Sequence, residues 1–129
     1  MLFNLPERTG DMTETELFSV ARNIKKYILS DRNIDFDCHS IRMQVELLIT
    51  VLYYYDTVFF SVQDIICIYR KLNLKSSRSG KLIMPSSEQV AEYCNKISVS
   101  NIYNINLMYS NGIYKILNAD YSWYSGLIQ

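Results

Sequence analysis

The first hydrophobic segment of the chain repeats with the 3.6-residue period of an α-helix. A capping-box pattern, Thr13 followed three residues later by Glu16, precedes it. Its apolar residues all fall on one helical face: Leu17, Val20, Ala21, Ile24 and Ile28. The pattern predicts an amphipathic helix over residues 14–29.

A second hydrophobic segment, residues 41–55, is apolar on nearly every side. A helix of this kind is packed on several neighbours, and Ser40 supplies a suitable N-cap. The residues before it, 30–40, are polar, acidic and rich in turn formers. We therefore expect a connector that leads into the central helix of the core.

The middle of the chain combines a very short apolar run with another helix start. Residues 58–60 are long enough only for a brief buried strand or an extended bridge. Ser61 and Asp64 then repeat the capping pattern, which predicts a helix that ends near Leu72. Residues 73–81 are rich in Ser, Gly and charge, which is typical of a mobile loop.

The last third of the chain changes from helical to alternating periodicity. Pro85 suits a helix start, and the helix predicted over residues 86–96 has an apolar side formed by Val90, Ala91, Cys94 and Ile97. After Ser100, apolar and polar residues alternate on both sides of Asn111-Gly112. Asn-Gly is the strongest short hairpin signal, so we predict a hairpin over residues 103–117.

These elements predict a mainly α fold with a small antiparallel β-hairpin, in the α+β class. The chain of 129 residues is long enough for one hydrophobic core. We divide it into residues 1–39, an N-terminal helix and acidic connector that could serve in dimerisation, and residues 40–129, the main domain with an aromatic C-terminal tail.

Composition narrows the class of protein. Apolar residues make up 49% and charged residues 20%, which is typical of a globular protein. No leader pattern opens the chain, and no run reaches the ~18 apolar residues that a membrane span requires. We therefore expect a soluble, cytoplasmic protein without a membrane partner.

Candidate catalytic and metal-binding residues are few. Cys38, Cys67 and Cys94 are odd in number and widely spaced, which favours reduced thiols over disulfides or a metal site. The single histidine, His39, follows Cys38, but adjacent side chains usually point apart, and the chain has no glycine loop to stabilise an oxyanion. We expect no catalytic residue, no metal and no cofactor, and hence a protein that is not an enzyme.

Charge is distributed unevenly along a chain whose formal net charge is zero. Residues 1–65 contain six Lys or Arg against ten Asp or Glu. Residues 66–118 contain only two acidic residues, Glu88 and Glu92, and seven basic residues: Arg70, Lys71, Lys75, Arg78, Lys81, Lys96 and Lys115. Such asymmetry indicates nucleic-acid contact by the later part of the chain.

The order helix, short strand, Ser-capped helix, loop, helix and hairpin resembles that of bacterial winged helix-turn-helix transcription regulators. Residues 79–102 are similar to the core motif of the GntR-type regulators, in which a Pro-Ser loop leads into a helix with Ala-Glu, then a turn and Val-Ser. The matching residues are Pro85, Ser86, Glu88, Val90, Ala91, Glu92, Val99 and Ser100. The resemblance covers about half the chain and implies a winged-helix fold and DNA binding.

The turn in this motif leaves two candidates for the helix that reads DNA. GntR-type regulators have a single Gly there, whereas this chain has the longer sequence Asn-Lys-Ile-Ser at residues 95–98. In the GntR-like register, residues 100–109 form the reader helix and expose Asn101, Asn104 and Ser110. We prefer residues 86–96, because residues 105–109 alternate as a strand does.

In the preferred register, the reader helix begins at Ser86 and presents three side chains to base edges. Gln89 would pair with adenine, Lys96 with guanine or phosphate, and Glu92 with cytosine. The remaining expected DNA contacts are to the phosphate backbone, from Asn111 and Lys115 of the hairpin and from Arg78 and Lys81 of the preceding loop. The alternative is that Gln89, Glu92 and Lys96 only solvate a surface helix.

Two hypotheses about function follow. The first is a transcriptional regulator that binds double-stranded DNA, as a homodimer formed through the N-terminal helix and the aromatic tail. The second is a non-enzymatic protein interaction module, an adaptor or inhibitor, on a winged-helix-like scaffold. The near-zero net charge and the 11 tyrosines favour the second hypothesis.

Overall fold

The computed structural model describes residues 12–28, 40–76, 78–99 and 105–119, and these form a mixed α+β structure. The described elements are α1 (Glu14–Ile28), α2 (Ile41–Tyr54), β1 (Phe59–Ser61), α3 (Val62–Leu72), α4 (Ser87–Val99), β2 (Ile105–Ser110) and β3 (Ile113–Ala119). None of the described helices has the length and apolar character needed to cross a bilayer. The expected α+β class is confirmed.

Local capping explains where the helices begin. The Ser40 side chain accepts a hydrogen bond from the Met43 amide at 3.3 Å. At the start of α3, the Ser61 hydroxyl accepts from the Asp64 amide at 3.1 Å, and the Asp64 carboxylate accepts from the Ser61 amide at 2.8 Å. These bonds satisfy amides that the first helical turn leaves without partners, so the predicted starts of α2 and α3 are confirmed.

The hairpin is built around a turn in which both central residues have positive φ. Asn111 has φ 52° and Gly112 has φ 85°, as a type I′ turn requires. Tyr109 lies opposite Tyr114 in the ladder, so the predicted pairing of β2 with β3 is confirmed. Because residues 105–110 form a strand, the alternative reader helix over residues 100–109 is wrong in its second half, and residues 100–104 lie outside the described part.

The short strand β1 extends the hairpin into a three-stranded antiparallel sheet in the order β1-β3-β2. Phe60 lies opposite Tyr114, and the two rings stack with centroids 5.3 Å apart. The sequence indicated a brief buried strand or an extended bridge here, and pairing with β3 makes this segment a strand. Residues 59–61 occupy the edge of β3 that does not pair with β2.

Helix α1 shares one core with the elements that follow residue 40. It packs against α3 and α2, and its apolar face is buried with the rest of the core. The Met12 amide donates a 2.8 Å hydrogen bond to the buried Asp64 carboxylate, which ties the start of α1 to the start of α3. The acidic connector and the aromatic tail lie outside the described residues, and the expected role of residues 1–39 in dimerisation stays a prediction.

Candidate nucleic-acid interface

Helix α4 has a buried side and an exposed side. Val90, Cys94 and Ile97 are completely buried against α2, α3 and β2. The exposed side carries Glu88, Gln89, Glu92, Asn95 and Lys96. The structure therefore brings the three expected base-contacting side chains onto one outward face of α4.

The hairpin is fixed beside α4 by aromatic side chains. The Tyr114 hydroxyl donates a 2.8 Å hydrogen bond to Asn95 Oδ1. The centroids of the Tyr109 and Tyr114 rings lie 4.7 Å apart. Burial raises the pKa of Tyr114 to about 12, so its hydroxyl keeps the proton that it donates.

A hollow of about 450 Å³ lies between α4, the hairpin and the start of α3. Gln63, in the first turn of α3, donates from Nε2 to Ser87 Oγ at 3.4 Å and so connects the starts of α3 and α4. The residues that line the hollow include Gln63, Ala91, Asn95, Tyr109 and Asn111. Three elements thus contribute to one concave surface that combines polar and apolar groups.

Two of the expected DNA contacts have a structural role. Ser86 is the N-cap of α4: its hydroxyl accepts from the Gln89 amide at 3.1 Å, and Gln89 Oε1 accepts from the Ser86 amide at 3.0 Å. This reciprocal capping box uses both oxygens. The Nε2 group of Gln89 is therefore the group that could reach a base edge.

The exposed face of α4 is not strongly positive. Lys96 Nζ lies 3.4 Å from a Glu92 carboxylate oxygen, and both side chains are more than half exposed. Lys96 Nζ also lies 5.8 Å from the centroid of the Tyr93 ring. With Glu88 exposed in the first turn, this face carries two carboxylates and one ammonium group.

The other expected contacts lie on different surfaces. Asn111 is at the turn and lines the hollow, whereas Lys115 points to the opposite face of the sheet, with Nζ 5.6 Å from the Phe59 ring centroid. Arg78 and Lys81 belong to the loop between α3 and α4, where the Ser76 amide donates to the Lys81 carbonyl at 2.8 Å. The structure thus groups Gln89, Glu92 and Lys96 on α4 and places Asn111 in the hollow beside that helix. Lys115 lies apart from them, because β3 alternates its side chains between the two faces of the sheet.

A cluster of basic side chains that the sequence analysis missed lies between α1 and α3. Arg22 and Lys25 of α1 and Lys71 of α3 line one groove, together with Phe18. The three-residue spacing of Arg22 and Lys25 could have predicted that these two side chains lie together on the polar side of α1. Their proximity to Lys71 depends on the packing of α1 against α3.

Among the residues that the structure describes, no three metal-ligating side chains cluster closely enough to hold a metal ion. Burial raises the pKa of the Cys94 thiol to about 12, which keeps it protonated and unreactive at neutral pH. Cys38 and His39 lie outside the described residues.

Comparisons with protein-family models, with curated proteins and with solved structures gave no match to this chain.

Proposed function

We propose that this protein is a winged-helix protein that binds duplex DNA, with α4 as the reader helix and the β2–β3 hairpin as the wing. The observation that carries the proposal is the order α2-β1-α3-α4-β2-β3, in which a hairpin is bonded to the side of an exposed helix through Tyr114 and Asn95. This order and contact support a reader helix braced by a wing. Regulation of transcription, as in the GntR-type proteins, is the role that such binding would serve.

Binding in this arrangement would use α4 for base edges and the hairpin turn for the backbone. Gln89 Nε2 and Lys96 Nζ would donate to bases or phosphates, and Asn111 would meet a phosphate. Glu92 opposes this, because it pairs with Lys96 and repels phosphate. We therefore expect low affinity for random duplex, with a steep dependence on salt.

The first prediction concerns Glu92→Gln. This change releases Lys96 and removes one negative charge from the reader face, so affinity for a closed dumbbell duplex should rise roughly fivefold at low salt. The slope of log affinity against log salt should steepen by about one, because one more cation contacts phosphate. Fluorescence anisotropy over a salt series measures both quantities.

Glu14→Gln is the matched control. It also removes one carboxylate from an ion pair, because Glu14 Oε1 lies 2.9 Å from Lys71 Nζ, but it does so on α1. We expect it to leave duplex affinity within a factor of two. If both variants raise duplex affinity equally, only net charge matters and α4 is not the reader helix. If the wild-type protein and the Glu92→Gln variant both fail to bind duplex at low salt, the proposal fails.

A second candidate function, protein binding, is favoured by the outer face of the sheet. Phe59, Lys115 and Met108 lie in register across the three strands on the face turned away from α4. Met108 is 54% exposed and Leu117 is 48% exposed. This face, in which Lys115 lies between the apolar side chains of Phe59 and Met108, is a candidate for pairing with a second copy of the chain, as a homodimer requires.

The second prediction tests this face with Met108→Lys. Met108 lies opposite Lys115, so the variant places two ammonium groups side by side on this face. Their repulsion in an interface should convert a dimer to monomer, as measured by sedimentation velocity at several protein concentrations. Val99→Lys is the control, because Val99 is 83% exposed but lies on α4. A wild-type chain that stays monomeric, or dissociation by both variants, would contradict a dimer formed through the sheet.

A further inference from the structure

The groove between α1 and α3 combines an exposed aromatic ring with three basic side chains. It has a volume of about 310 Å³ and is lined by Phe18, Ala21, Arg22, Lys25 and Lys71. A second hollow, of about 520 Å³, lies on the other side of Phe18 and shares Arg22. Phe18 therefore stands between two concave surfaces and is 64% exposed.

The groove is more positive than the face of α4. Its lining contains Arg22, Lys25 and Lys71 and no carboxylate. The acid at its edge is Glu14, which is 74% exposed and holds Lys71 Nζ at 2.9 Å. An anion that displaces this exposed carboxylate would meet three cations, of which Arg22 can bind phosphate oxygens with two parallel hydrogen bonds.

The position of Phe18 restricts the kind of anion that fits best. Phe18 and Arg22 are four residues apart on α1 and so are neighbours on the helix surface. A flat apolar group stacked on the Phe18 ring would place an attached phosphate near Arg22 and Lys25. Nucleobases stack on exposed aromatic side chains in this way, and the stacking tolerates any base.

We propose that this groove binds a phosphorylated nucleoside, with the base on Phe18 and the phosphate between Arg22, Lys25 and Lys71. The source is a free nucleotide or an unpaired nucleotide of a single strand, since both present the same groups. Paired bases are stacked within a duplex and cannot reach Phe18. The site does not involve α4 or the hairpin, so it is independent of the duplex-binding function proposed above.

Isothermal titration calorimetry on the full chain tests the site with four probes: ATP, adenosine, inorganic phosphate and a ten-residue oligothymidylate. We expect ATP or the oligonucleotide to bind more tightly than phosphate or adenosine alone. Phe18→Ala should weaken the binding of the nucleotide probe roughly tenfold and leave phosphate binding unchanged. Because Phe18 is exposed, this variant should keep the fold, which circular dichroism checks.

Charge variants identify the phosphate end of the site. Lys25→Gln should weaken the nucleotide and phosphate probes alike, and Glu14→Gln should strengthen both by freeing Lys71. Asp56→Asn is the control, because Asp56 is exposed after α2 and belongs to neither the groove nor α4, so it should leave nucleotide binding unchanged. Phe18→Ala should keep the duplex affinity of the wild-type protein, and this measurement separates failure of this site from failure of the reader helix.

The outcomes are distinct. Binding of ATP that depends on Phe18 supports the site with a free nucleotide as its source, whereas binding of the oligonucleotide alone supports a single strand as the source. The proposal is overturned if neither probe binds at millimolar concentration. It is also overturned if Phe18→Ala and Lys25→Gln leave binding unchanged.

Discussion

At the scale of single residues, the core of this protein contains polar side chains on its most buried helix. Gln44 of α2 accepts a 2.9 Å hydrogen bond from the Tyr69 hydroxyl, and both residues are buried. Glu46 is 2% exposed, and its Oε2 lies 3.4 Å from Nε of Arg42, one turn earlier in α2. Burial raises the pKa of Glu46, and the Arg42 charge only partly opposes this. Ionised Glu46 therefore opposes folding at neutral pH.

The third prediction is that Glu46→Gln stabilises the protein at pH 7 by about 1 kcal/mol, because glutamine fills a similar volume without a buried charge. A raised pKa in the folded state means that wild type regains this stability as the carboxyl group takes up a proton. The difference in unfolding free energy between the variant and wild type should therefore shrink as pH falls, and it should vanish below the ordinary carboxyl pKa of 4.5. Urea unfolding at pH 4 to 7 measures it.

Glu88→Gln is the control for this experiment, because Glu88 is exposed on α4 and its replacement removes a carboxylate without taking a charge out of the core. A less stable Glu46→Gln variant at pH 7 would show that the pairing of Glu46 with Arg42 outweighs the cost of burying it.

At the scale of elements, short-range signals fix where the helices and the hairpin begin and turn. The capping boxes at Ser61 and Ser86 define the starts of α3 and α4. Asn111 and Gly112 define the turn between β2 and β3 through their positive φ values. These are interactions between residues at most three apart, so the sequence could specify them before any tertiary contact forms.

The fourth prediction is that Gly112→Ala destabilises the protein by about 1 kcal/mol. A Cβ at Gly112 would meet no atom within 4 Å, so the whole effect comes from the strain of a side chain at φ 85°. Asn111→Gly is the control, since type I′ turns accept glycine at both central positions. Urea unfolding measures both variants, and a Gly112→Ala protein as stable as wild type would mean that the turn relaxes to another type.

At the scale of the whole molecule, one core joins α1 to the sheet and brings three weakly acidic groups out of water. Burial raises the pKa of Cys94 from 9.0 to about 12. The pKa of Tyr114 is raised from 10.0 to about 12, mainly by burial and to a smaller extent by the neighbouring Cys94. Burial likewise raises the pKa of Tyr69. In the folded protein these groups keep protons that the unfolded chain releases.

The fifth prediction is that stability falls as pH rises from about 9 to 12. Below pH 9 these groups are protonated in both states; above it the unfolded chain loses protons first, which favours unfolding. Unfolding in urea at pH 8 to 11 measures the slope. In a Cys94→Ala variant the decline should begin near pH 10 instead, and an unchanged onset would show that the thiol is not responsible.

The contacts between elements account for what the sequence analysis did not anticipate. Lys115 follows Tyr114 in a strand whose side chains alternate, so it must point away from α4 if Tyr114 points toward it. The sequence of Ser86 and Gln89 fits the capping-box pattern, so their structural role could have been predicted. Nothing in the sequence predicts that Lys71 lies near Arg22, because their helices are far apart in the chain.

The sequence by itself determined the helices, the positions where they begin and the Asn-Gly hairpin, because each depends on periodicity or on bonds between near neighbours. Only the tertiary structure decided that β1 pairs with β3, that Tyr114 holds the hairpin to Asn95, and that Lys71 joins Arg22 and Lys25 around Phe18. Those arrangements depend on how helices and strands pack against one another. That packing decides which charged side chains lie together on the surface. The order of the charged residues along the chain does not specify this distribution.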